Sequence, residues 1–125
     1  MTLSYSLNDD CLLITLGDCC FTRKDAIDCL KNAVGDRFFK KGTPVLIDTG
    51  NCEIILPFQS VKLILEFLSK QSKQFSSRFA FVEKNLSPFR LGRVFSTVAS
   101  DYGLQCRSFI NYEDAKAWLF EPAAR

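Results

Sequence analysis

The sequence predicts an α/β domain: a single mixed β-sheet, opened by a hairpin and continued by helix-connected parallel strands, under the cover of about four helices. Three observations predict it. An alternating segment at Leu3–Leu7 and an apolar run at Cys11–Leu16 are separated only by Asn8-Asp9-Asp10, which is hairpin spacing. After them, stretches of helical periodicity alternate with short apolar runs, and strand–helix–strand alternation produces adjacent parallel strands. Finally, 125 residues with 47% hydrophobic side chains suffice for a core that needs neither disulfides nor a structural metal. No repeat, low-complexity tract or linker interrupts the pattern, so residues 1–125 read as one domain.

Each element has its own local reason. Leu-Ser-Tyr-Ser-Leu at 3–7 alternates with the period of a half-buried strand. Thr22 stands at an N-cap position with Asp25 in the first turn, where a negative charge meets the positive end of the helix dipole. Ile27, Leu30, Val34 and Phe38 then recur at helical spacing, predicting a helix from about Arg23 to Gly35. Gly42 and Pro44 punctuate the chain, and Pro44–Asp48 is a short apolar run that suits a buried central strand. Pro57 fits the first position of a second helix, where no amide donor is needed, and the pattern extends to about Lys73. Arg78–Val82 is another strand. Ser87-Pro88 opens a third helix, with Leu91, Phe95, Val98 and Tyr102 in one stripe and Gly103 as its stop. Gln105–Ile110 is the last strand, and Asn111 caps a final helix carrying Ala115, Trp118 and Leu119.

Charge and cysteine usage narrow the function classes. Sixteen basic against fourteen acidic residues is too balanced to predict a nucleic-acid or anionic-membrane partner. Residues 51–100 nevertheless carry seven basic and three acidic side chains, a local excess. The start of the chain lacks a signal-peptide pattern, and no apolar run is long enough to span a bilayer. The six cysteines form no Cys-x-x-Cys pair, and no histidine is present to complete a mixed zinc site. Reduced, mostly buried thiols, a cytoplasmic location and the absence of metal or cofactor are therefore expected.

Several pieces, in order along nearly the whole chain, resemble the SpoIIAA-like group of bacterial proteins, related to STAS and Sec14-type domains. They are Asp36-Arg37-Phe38 with Gly42-Thr43-Pro44-Val45-Leu46-Ile47-Asp48, then Arg78-Phe79-Ala80-Phe81-Val82, then Gly92-Arg93-Val94-Phe95, and finally Arg107-Ser108-Phe109, Glu113, Ala115 and Trp118-Leu119. The resemblance implies the same fold and a function in binding and regulation rather than turnover. Its best-understood members are anti-sigma-factor antagonists switched by phosphorylation of a serine in an Asp-Ser-Ser-Gly-like turn. The corresponding stretch here, Glu53 to Ser60, has no Asp-Ser pair, and Ser60 reads as an early-helix residue. The Sec14-type side of the resemblance implies a small apolar ligand.

Four constellations bear on chemistry. Val45-Leu46-Ile47-Asp48-Thr49-Gly50 resembles the catalytic turn of aspartic proteases, in which two such aspartates share one proton across a dimer. A dimeric aspartic-type hydrolase using Asp48 is thus the alternative reading, although that fold is all-β and this sequence predicts helices. Histidine-dependent nucleophilic catalysis is excluded by composition, and neither G-x-x-x-x-G-K nor G-x-G-x-x-G occurs. Arg90 and Arg93, on adjoining turns near a helix N-terminus, are candidate anion contacts or simply solvated arginines. On the second helix, Phe58, Val61, Ile64, Leu65 and Leu68 share the core face, while Leu56, Leu63 and Phe67 make a second apolar strip. That strip requires cover from a neighbouring helix, a protein partner, a second copy or a ligand. The favoured reading is a non-catalytic binding or regulatory module, acting on a protein partner or small apolar ligand, or self-associating.

Overall fold

The structure, a computed structural model, describes residues 3–7, 11–16, 22–50, 56–71, 74–84 and 91–121. Strands β1 (Leu3–Leu7), β2 (Leu12–Leu16), β3 (Thr43–Gly50), β4 (Phe75–Glu83) and β5 (Gln105–Phe109) form one sheet in the order of the sequence. The β1–β2 pair is antiparallel, and β2, β3, β4 and β5 are parallel neighbours. Helices α1 (Arg23–Val34), α2 (Phe58–Lys70) and α3 (Leu91–Ala99) connect the parallel strands, and α4 (Tyr112–Leu119) follows β5. The predicted mixed α/β architecture is the one observed.

Period-two alternation divides the sheet between two cores. Leu12, Ile14, Leu16, Val45, Phe79 and Phe81 pack with Leu30 and Ala33 of α1, Val61, Ile64 and Leu65 of α2, and Leu91, Phe95 and Ala99 of α3. Leu46, Ala80 and Val82 point the other way, onto Ala115, Trp118 and Leu119 of α4. Three crossovers of one hand, each advancing one strand along the sheet, bring their helices to the same face. That leaves the opposite face for α4. Arg78 fastens α4 down: its Nη1 donates to the carbonyls of Trp118 at 2.7 Å and Glu121 at 3.0 Å, and its guanidinium lies 5.2 Å from the Trp118 ring.

The helix boundaries follow the capping chemistry. Thr22 and Asp25 form a reciprocal capping box, each side chain accepting the other's amide. The Asn111 side chain accepts the amide of Asp114. Gly103 adopts φ 73° after a 3-10 turn at Ser100–Tyr102, a left-handed conformation that glycine takes without strain. At the start of α2, Pro57 is the N-cap rather than the first helical residue, and the helix ends at Lys70, before the expected Lys73, which lies outside the described residues. The expected turn Asn8–Asp10 and the start of α3 at Ser87-Pro88 also lie outside them.

Two aromatic positions depart from the helical pattern. Helix α1 stops at Val34, with Gly35 at its C-cap, so Phe38 falls in the following turn and is 68% exposed. Phe58 was expected on the core face of α2, but it occupies the first turn, beyond the reach of the sheet, and is 57% exposed. The remaining residues of that face, Val61, Ile64, Leu65 and Leu68, are all buried.

Candidate functional site

The Asp-Thr-Gly segment is the ragged end of β3, not a turn. Pairing with β4 shifts register between Asp48 and Gly50, and Gly50 has φ 53°, so the strand twists where it leaves the sheet. Thr49 turns inward, and its hydroxyl donates to the Val82 carbonyl at 3.1 Å. Asp48 alternates to the α4 face. Its Oδ1 accepts the Gly50 amide at 2.9 Å, and its Oδ2 accepts the hydroxyl of Tyr112 in the first turn of α4. Burial, then this hydrogen bond and the carboxylate's charge, push the Tyr112 hydroxyl up to about 12. Both carboxylate oxygens thus hold structural donors, and the architecture is not the all-β one of aspartic proteases.

Above the sheet on the face of α1, α2 and α3 lies an apolar cavity of about 70 Å³. Its walls come from Leu16, Ile47 and Phe81 on the strands, Ala26 and Cys29 on α1, Ile64 on α2, and Leu91 and Phe95 on α3. Ile14 and Phe79 at mid-strand, Val45 in the first half of β3 and Leu30 in the second half of α1 line it too, so it sits over the middle of the sheet. Cys29 is buried, which raises its thiol above the ordinary range, so it stays protonated and contributes an apolar surface.

A second, polar cleft of about 250 Å³ lies between α3 and β5, lined by Arg93 and Ser96 on one side and Cys106, Arg107 and Ser108 on the other. Consecutive strand residues face opposite ways, so a cleft touching three in a row runs along the strand's edge. Glu83 closes its inner end. This carboxylate is 2% exposed, and its Oε2 accepts the Gly92 amide at 3.1 Å. Gly92 is obligatory at this crossing: a Cβ there would come within 2.4 Å of Ser108 Oγ and 2.7 Å of Phe81 Cβ. Cys106 is pushed up to about 12 by burial, and among the described residues the Ser108 hydroxyl has no hydrogen-bond partner.

The candidate residues read from the sequence are thus dispersed. Arg93 is exposed at the rim of the polar cleft, whereas Arg90 lies outside the described residues. The second strip of α2, the candidate interaction surface Leu56, Leu63 and Phe67, is largely covered within the chain, the first of the covers open to it. Leu56 belongs to the main core, at 8% exposure. Phe67 packs against that core, with the Lys31 ammonium of α1 6.0 Å from its ring, and Leu63 is half-buried. The sequence did not single out Glu83, and Gly92 and Ser108 stood out only as pieces of the family resemblance. A charged residue directly after the apolar run 79–82 was the available signal, but it reads equally as the end of a strand.

Among the described residues, no group of three His, Cys, Asp or Glu side chains could hold a metal ion, and no helix is long and apolar enough to cross a membrane. Comparison of the chain with protein-family models, with curated proteins and with solved structures finds no match. The class of protein is therefore defined by the fold alone: a five-stranded mixed α/β sheet with three helices on one face and one on the other.

Proposed function

We propose that this chain is a non-catalytic binding module, in the manner of the SpoIIAA-like, STAS-related proteins that its sequence resembles. It acts in the cytoplasm and takes a small apolar ligand or the apolar side chain of a protein partner. The observation that carries this reading is the cavity between the sheet and α1, α2 and α3, walled by apolar side chains and the Cys29 thiol. A void of this kind repels water, because water needs two to four polar partners to settle. Filling it with a branched alkyl or small aromatic group restores the dispersion contacts that its walls lack.

Xenon and benzene are the probes that test it. Each is expected to raise the melting temperature in a saturable way, because a ligand that binds only the folded state stabilises it by mass action. Ala26→Leu, which fills the cavity from α1, should abolish that response while leaving the circular dichroism spectrum unchanged. If neither probe shifts the melting temperature and the spectra of wild type and variant agree, the ligand reading falls.

A further inference from the structure

We infer that the outer edge of β5 is a docking site for an extended acidic segment of a protein partner, which adds to the sheet as a sixth strand. The inference deepens the binding-module reading and rests on it, but it names a different site from the apolar cavity. Among the described residues, β5 pairs only with β4, so its other edge presents backbone donors and acceptors that an extended chain satisfies. The polar cleft runs along that edge.

Charge selects the kind of segment. Side chains of an added strand alternate between the two faces of the sheet, and an arginine stands beside the edge on each. Arg93 projects from α3 on one face. Arg107 belongs to the opposite face, where its guanidinium lies 5.2 Å from the Phe109 ring and 5.6 Å from the Trp118 ring. Neither pairs with a carboxylate among the described residues. Among the described residues that line the cleft, the acidic one is Glu83, which sits at its buried end and accepts the Gly92 amide, so the described rim is positive. Two consecutive acidic residues in the added strand would meet the two arginines. The repeating pattern of amide donors and carbonyl acceptors on a strand edge matches a peptide and not a nucleic-acid backbone.

Fluorescence polarisation tests this with the labelled peptide Thr-Val-Glu-Glu-Val-Thr against its Lys-Lys and Gln-Gln counterparts and an oligo-uridine. The Glu-Glu peptide should bind most tightly, and combined Arg93→Gln and Arg107→Gln should weaken it at least about tenfold. Each single variant should account for part of that loss, with Arg93→Gln leaving the melting temperature unchanged. Equal binding of the Lys-Lys or Gln-Gln peptide, or tighter binding of the oligo-uridine, overturns the inference. If no peptide binds while benzene or xenon still stabilises the protein, the edge site falls and the binding-module reading stands. If all probes fail, both fall.

Discussion

Among the described glycines, Gly92 is the most closely confined, because α3 crosses β4 and β5 at a distance that leaves no room for a Cβ. Gly92→Ala forces its Cβ against Phe81 Cβ and the Glu83 carboxylate, and overpacking of this kind costs about 1–3 kcal/mol. A lowered urea midpoint with an unchanged m-value is the expected result. Tyr112 gives a pH signature. Its hydroxyl is raised to about 12 in the folded state, against about 10 in an unfolded chain. The unfolded state therefore loses its proton first, so the stabilisation is complete below pH ~10 and disappears as pH rises through ~12. Buried Cys29 and Cys106, also raised, add to the alkaline loss in wild type and variant alike. Urea midpoints at pH 9 and pH 11 should accordingly fall less steeply for Tyr112→Phe than for wild type. Neither contact was legible in the sequence, since Gly92 stood out only as a piece of the family resemblance and the Asp48–Tyr112 pair joins positions 64 apart.

Elements were far more legible than contacts. The caps Thr22 and Asn111, the stop at Gly103 and the apolar runs of β3 and β4 act over a few residues, so sequence spacing reports them directly. Helical periodicity misled where a helix had already ended or had not yet reached the sheet, as at Phe38 and Phe58. It also could not assign the cover of α2, because a wheel shows which side chains share a strip but not which helix lies alongside. Substitutions along that strip separate its parts. Leu56→Ala removes a core side chain and should cost about 2–5 kcal/mol in a denaturant titration. Leu63→Arg, at a half-buried position whose long stem can carry the charge outward, should cost less than about 1 kcal/mol. If instead Leu63→Arg lowers stability as much as Leu56→Ala, α1 seals the whole strip and no part of it faces outward.

At the scale of the molecule, connectivity predicted parallel neighbours wherever a helix joins two strands, and the full order β1 to β5 came from the structure. The division of four helices into three and one was not read from the sequence, and it creates two cores of unequal depth. The larger one, built from three helices over a twisted sheet, contains the apolar cavity. That void has a mechanical consequence. Unfolding removes poorly packed space of this kind, and the volume change of unfolding scales with it. Hydrostatic pressure therefore works against it. High-pressure tryptophan fluorescence, reporting on Trp118, should show wild type unfolding at a lower pressure than Ala26→Leu, even where their thermal midpoints coincide. Bound benzene should raise the wild-type midpoint toward that of the filled variant. Resistance to pressure should therefore rise whenever the cavity is filled, whether by a larger side chain or by the probe.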